Sequence, residues 1–296
     1  MQVSLVKALH WCLKRDSAAR MAASNILSMH PFDEAIDLSP TAPHQFTGAT
    51  HPAYANMIGP FGGTTSAQLL QSALLHPERL GEPVALTVNF AAPVADGDIR
   101  FVARPVRTNR STQHWIIEAH QTEGVVATAT AVFAVRRETW SDVEAVIPAN
   151  VPAPEAVTRM PTRGFPAWPQ RYDMRFVEGA FPSAFDEQEQ THSRSTLWVR
   201  DEPERAMDFA SLAAMSDSFF PRIFIRRRRR AMIGTVSLTT YFHADSALLA
   251  QVGTGHVLGV AKALNYRHGY FDQTGELWSQ AGQLLASTHQ LVYFKD

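Results

Sequence analysis

The chain contains the same pattern twice. "ALTVNFAAPVADG" at 85–97 matches "SLTTYFHADSALL" at 237–249 with Leu, Thr and Phe in register, and "VVATATAVFAV" at 125–135 matches "LLASTHQLVYF" at 284–294. Such a repeat is a strong constraint, because both copies must form the same unit and bury the same face. In each half a helical stretch comes first. "GGTTSAQLLQSALLH" (62–76) sets Leu69, Leu70, Ala73 and Leu74 at helical spacing behind a Gly-rich start. "MDFASLAAMSDSFF" (207–220) does the same with Phe209, Leu212, Ala213 and Phe220. Alternating, strand-like stretches follow at 84–91, 99–107, 112–121 and 125–135, then at 233–243, 250–264, 266–271 and 281–294. "YDMRFVEG" and "STLWVRD" add a hairpin ahead of the second helix, and "NYRHGYFDQTGELW" (265–278) reads as two strands around a turn at Gln273–Thr274–Gly275. One helix followed by a run of antiparallel strands, twice over, is an α+β pattern. Two such units in one chain predict a pseudo-dimer with a shared interface.

Prolines at 148, 152, 154, 161, 166 and 169 exclude long helices and central strands between the units. The chain therefore divides into an N-terminal extension (1–30), a first unit (31–145), a Pro-rich linker (146–170) and a second unit (171–296). With 296 residues, 45% of them hydrophobic, and a net charge of -1, it can bury a large core and has no overall bias toward nucleic acid or an anionic membrane. No run of eighteen apolar residues occurs, so no transmembrane helix is expected. The single cysteine, Cys12, excludes an intrachain disulfide and a cysteine-cluster zinc site, and points to a cytoplasmic location. The first thirty residues are basic and nearly acid-free, as a transit peptide is; an extra helix, or a start codon placed too far upstream, is the simpler reading.

Two polar residues stand where the repeat predicts packing. Aligning the final strands on Ala127 and Ala286 sets Ala129 against Thr288 and Ala131 against Gln290, so one half has alanines where the other has hydrogen-bonding groups. A buried amide without partners costs a few kcal/mol and so needs a partner or a task. On the second helical stretch Phe209, Ala213, Asp217 and Phe220 recur at i, i+4, i+8 and i+11, which puts a carboxylate on the apolar stripe. Burial there raises its pKa and makes it a candidate general base. A helix-end aspartate bonded to nearby backbone, or turned to solvent, is the competing reading.

"PFGGTTSAQLLQSAL", "VALTVNFAAPVADG", "RPVRTNRSTQHW", "TATAVFA" and "GTVSLTTYFH…LLASTHQ" resemble the acyl-CoA thioesterase II (TesB-type) group. The resemblance spans about 31–140 and 171–296. It implies a double hotdog fold: two fused units, each a long helix wrapped by a curved antiparallel sheet. It also implies an acyl-CoA substrate, with coenzyme A as part of that substrate and no metal or other cofactor, and a homo-oligomer. The group's Asp–Thr–Gln set, which holds a nucleophilic water, matches Asp217 in "AAMSDSFFP", Thr235 in "GTVSLTTYFH" and Gln290 in "LASTHQ". Thr235 rests on the resemblance alone, since strict alternation puts it opposite the apolar Val236, Leu238 and Phe242 unless a bulge re-aims it. The group often continues "FHRP", where this chain has "FHAD" (Phe242 to Asp245).

Under this reading Asp217 accepts a proton from the water that Thr235 and Gln290 hold. Gly62 and Gly63 open a helix whose N–H groups suit an oxyanion, although tight helix packing accounts for the pair equally well. "RIFIRRRRRA" carries arginines at 226–230, of which Arg226, Arg227 and Arg228 are candidates for coenzyme A phosphates; a solvated loop is the favoured alternative. Two other functions remain open. A hotdog hydratase or dehydratase would want a His following Asp217 in the helix, and none does; a non-catalytic acyl-thioester binding protein would bind without releasing thiol.

Overall fold

The computed structural model describes residues 29–295. The expected N-terminal helix and Cys12 fall outside them. The first half comprises α1 (Pro31–Ala35), β1 (Ser39–Ala42), β2 (Gln45–Ala49), α2 (Gly62–Leu74), β3 (Glu82–Phe90), β4 (Asp98–Thr108), β5 (Thr112–Gln121) and β6 (Gly124–Ala134). The second comprises β7 (Tyr172–Glu178), β8 (Ser195–Asp201), α3 (Phe209–Met215), α4 (Arg222–Arg227), β9 (Met232–Phe242), α5 (Ser246–Val252), β10 (Val257–Lys262), β11 (Tyr266–Arg267), β12 (Tyr270–Trp278) and β13 (Leu284–Lys295).

All thirteen strands join one antiparallel sheet in the order β1-β2-β4-β5-β6-β3-β9-β13-β12-β10-β8-β7, with β11 paired to β12. The centre of that order explains the repeat. β3 and β9 are the two copies of one strand, and they pair with each other. Thr87 lies opposite Thr239, its counterpart in the repeat, with their hydroxyls 3.0 Å apart. The pseudo-two-fold axis passes between these threonines.

Inward-facing residues on each strand alternate with exposed ones, as in β5, where Gln113, Trp115, Ile117 and Ala119 are buried. Helix α2 is buried along nearly its whole length. Its polar residues find partners within the helix or on neighbouring elements: Thr64 Oγ1 donates to Phe61 O (2.7 Å), Ser72 Oγ to Leu69 O (2.7 Å), and Gln68 Nε2 to Ala35 O and Ala49 O (both 2.8 Å). A helix buried on all sides is a central helix, and α2 lies against α3 and strands of its own half.

The structure departs from the sequence-based expectations at several points. β1 and β2, with no anticipated counterpart, extend one edge of the sheet. The expected strand 250–264 is a helix followed by a strand, because Asp245 caps α5 by accepting from Leu248 N (2.8 Å) and Gly253, at φ 58, ends it. The hairpin turn lies at His268–Gly269, both at positive φ (51 and 78), so Gln273 to Gly275 stay within β12. The helix expected over 207–220 ends at Met215. Ser216 Oγ bonds Leu212 O (2.9 Å), Ser218 Oγ bonds Met215 O (2.7 Å), and Pro221 follows. Arg226 and Arg227 lie at the end of helix α4 rather than in a loop.

The Pro-rich segment lies along the second half of the protein. Ile147, Val151 and Val157 cover Trp198, Leu258 and Trp278 on the outer face of the sheet, and Trp198 Nε1 donates to Pro152 O (2.8 Å). Farther on, Trp168 stacks on Phe61 (centroids 4.3 Å apart, planes 6° apart) and meets Phe220 at 5.8 Å. It thereby joins the residue ahead of α2 to the turn after α3. No described helix is long and apolar enough to cross a membrane. Trp168→Ala should cost about 3 kcal/mol of stability, the usual loss for a buried tryptophan, measured from denaturant unfolding midpoints.

Candidate active site

Asp217 sits in the turn two residues after α3. Its carboxylate reaches across to the start of α2 in the other half. A Cβ on Gly62 would lie 2.7 Å from Asp217 Oδ2, and one on Gly63 would lie 2.5 Å from Ala214 O. Both glycines are therefore needed for close approach. The Gly63 N–H donates to the carboxylate, and Gln290 Nε2 donates to Asp217 Oδ1 at 2.6 Å. The helix N-terminus favours the charged form through its unpaired N–H groups and dipole. Burial outweighs both hydrogen bonds and pushes the Asp217 pKa up to about 7. This carboxylate is poised to change charge near neutrality.

The structure thus brings together Asp217, Gln290, Gly62 and Gly63. Gly63, expected as an oxyanion donor, has its N–H directed at Asp217 instead. Thr235 lies opposite Val292 on β9, and Val236 forms a bulge against the Leu291–Val292 step. The bulge reverses the alternation, so Thr235 shares the face of Val292 and Gln290. Among the described residues the Thr235 hydroxyl makes no hydrogen bond to Asp217 or Gln290. Thr288 also faces inward, but its hydroxyl, beside Gly275, is buried without a partner among the described residues. His289 points the other way and bonds Asp272 Oδ2 at 3.3 Å.

The arginine run is met by carboxylates. Arg226 and Arg227 pair with Glu189 (3.6 and 2.9 Å), Arg228 with Asp186 (2.7 Å) and Arg229 with Glu187 (3.9 Å). Two residues that the sequence reading missed lie behind Gln290. Gln273, directly opposite on β12, donates from Nε2 to Gln290 Oε1 (3.2 Å), and Arg222 Nε donates to Gln273 Oε1 (2.9 Å). The His-Gly dipeptide at 268–269 was the available signal, since it is the better hairpin turn and frees Gln273 to be a strand residue. One group of metal-capable side chains exists among the described residues, His44, His76 and Glu78. It sits at the opposite end of α2, where His44 Nδ1 and His76 Nε2 share a hydrogen bond at 2.7 Å and the Glu78 N–H donates to His76 Nδ1 (3.1 Å).

Family models described as the N-terminal and C-terminal domains of acyl-CoA thioesterase match residues 51–134 and 148–294. The chain belongs to the acyl-CoA thioesterase family. Its fold is a double hotdog. This thioesterase-family chain is 49% identical to a hot dog fold protein of unknown function from Alicyclobacillus acidocaldarius, with a TM-score of 0.85 over 90% of this chain and 99% of the other. The fold is also shared with acyl-CoA thioesterase II of Mycobacterium marinum (17% identity, TM-score 0.71, 89% and 98% covered) and the tesB protein of Mycobacterium avium subs paratuberculosis (18%, 0.72, 90% and 100%). A search of curated proteins finds no match.

A more deeply buried carboxylate accompanies the site. Asp201, at the end of β8, accepts from Ser211 Oγ (2.5 Å), and burial pushes its pKa up to about 7. Folding therefore favours the protonated form. That contribution is complete below the unfolded carboxylate pKa of about 4 and is lost as pH rises through the folded value of about 7. Asp201→Asn is neutral and nearly isosteric, so its melting temperature should fall less than the wild type's between about pH 5 and about pH 8, as thermal unfolding at the two values will show.

Proposed function

We propose that this protein hydrolyses an acyl-CoA thioester to a free acid and coenzyme A, using Asp217 as general base toward a water molecule. One observation carries the reading: a half-buried carboxylate with a pKa of about 7, held between an amide from its own half and a helix N-terminus from the other. A general base works best when its pKa is near the working pH. Asp217 takes a proton from water, and the oxygen attacks the thioester carbon. The C–S bond then breaks, and the departing thiolate receives the proton. Gln290 holds the base and, through its second N–H, the water; Thr235 shares the same face. The Gly62 N–H, the first of α2, serves the developing oxyanion.

Room for the acyl group is offered by a cavity of about 730 Å³ lined by Phe165, Phe176 and Phe181. Phe220, three residues after Asp217, stacks on Phe176 at 5.9 Å and so links this cavity to the base. Arg230 also lines the cavity, whereas Arg226, Arg227 and Arg228 pair with carboxylates and have no part in the reaction as drawn. A hydratase or dehydratase reading is disfavoured because the side-chain partner of Asp217 is an amide, not an imidazole.

Free-thiol release from acyl-CoAs of short to long chain tests the reading. Asp217→Asn should lose about 1000-fold in kcat, and Gln290→Ala about 100-fold, with both variants folded. Turnover that survives both changes would place the chemistry elsewhere, and tight acyl-CoA binding without thiol release would identify a binding protein. Because only the ionised carboxylate accepts a proton, kcat/KM should rise with pH through a midpoint near 7, the folded-state value for Asp217. Gly62→Ala should cut kcat about 100-fold by displacing the carboxylate, with little change in melting temperature.

A further inference from the structure

We propose that Arg222 and Gln273 are positioning residues that decide which end of the Gln290 amide faces Asp217. The inference rests on the hydrolase reading for its consequence but not for its geometry. The oxygen and nitrogen of a glutamine amide are nearly equal in size, so shape alone does not choose between its two orientations. With Oε1 toward Asp217, two acceptors would face each other and the carboxylate would hold its proton. Arg222 removes the ambiguity because a guanidinium only donates. Its Nε bonds Gln273 Oε1 (2.9 Å), which leaves Gln273 Nε2 to donate to Gln290 Oε1 (3.2 Å), which in turn leaves Gln290 Nε2 to donate to Asp217 (2.6 Å). Both amides are buried, Gln273 at 1% exposure and Gln290 at 4%, so water does not substitute for a missing partner.

Arg222 is placed for this task rather than for an ion pair. It is fully buried, and among the described residues it has no carboxylate partner. The same Nε–H is shared with Phe220 O (2.9 Å), which Nη2 also meets, and Nη1 donates to Ser193 O (2.9 Å) and Ser195 Oγ (2.7 Å), so that the guanidinium plane is fixed. Burial lowers its pKa to about 10, which still leaves it a cation at neutral pH. A cation stands at one end and a carboxylate at the other, and the two amides between them pass donors in one direction, toward Asp217.

The groups facing each end are few. Gly62 and Gly63 on α2, Gln290 on β13 and the Tyr172 phenol on β7 surround Asp217, and burial holds that phenol neutral. The Tyr266 phenol of β11 interacts with Arg222.

Gln273→Glu and Gln273→Met separate this role from a structural one. Glutamate keeps, and charges, the contact to Arg222, yet it offers Gln290 only acceptors and forces that amide to turn its oxygen toward Asp217. Methionine merely releases the amide. The relay predicts that Gln273→Glu folds at least as stably as wild type but loses about 100-fold in kcat with KM little changed. It also predicts that the Asp217 midpoint rises by about one unit, read from the acid limb of the pH–rate profile and from carbon-13 NMR titration of the resting protein with Asp217→Asn for assignment. Gln273→Met should fall between the two. A purely structural role predicts the reverse order, with Gln273→Glu the milder change. An unmoved Asp217 midpoint in Gln273→Glu overturns the relay whether or not the protein turns over acyl-CoA. A raised midpoint in a protein with no thioesterase activity supports the relay and removes the hydrolase reading.

Discussion

The seating of one carboxylate on the first turn of a helix from the other half is the contact on which this protein's organisation turns. Asp217 is buried enough to resist ionisation, and the start of α2 opposes that resistance with a backbone N–H and a dipole. Neither half can build this arrangement alone. It requires that α2 and α3 lie side by side, which the pairing of β3 with β9 across Thr87 and Thr239 enforces. It also requires two glycines where a side chain would strike the carboxylate or the backbone of the partner helix. The sheet, the helix pair and the Gly-Gly step are consequences of one geometric demand.

Trp168 adds to this from an unexpected quarter. The Pro-rich segment could have been a tether between units, but its tryptophan lies against both Phe61 and Phe220. These rings stand beside the two halves of the site, one preceding α2 and one following Asp217. Packing at this level helps to fix the distance between Asp217 and the helix, because close-packed aromatic surfaces have little room to slide.

Much of this was legible from the residues. The repeat and its alternating strands declared the architecture, and comparing its two copies exposed Gln290 as an amide on a face that is alanine in the other half. Asp217 was visible as a charge on an apolar stripe, although the helix itself stops at Met215 because serine hydroxyls take up its last carbonyls. What stayed hidden was hidden for physical reasons. Thr235 changes face through a bulge at Val236, and a one-residue insertion in pairing leaves no mark in a single strand's pattern. Gln273 sat in "QTG", a plausible turn, while the true turn needed two positive φ angles at His268 and Gly269. Arg222 opens the stretch "RIFIRRRRRA" ahead of the run at 226–230, and nothing in the sequence separates this buried arginine from the more exposed ones that follow.

The alanines at 129 and 131, set against Thr288 and Gln290, carry an evolutionary consequence. In an assembly of identical subunits every change is made at both symmetric positions, so a residue cannot be optimised for chemistry in one copy and for rigidity in the other. Fusing the copies removes that restriction. Here one half keeps a plain apolar strand and lends a helix terminus, while the other carries the amide and the carboxylate. The loss of symmetry at these few positions allows a duplicated scaffold to divide its labour.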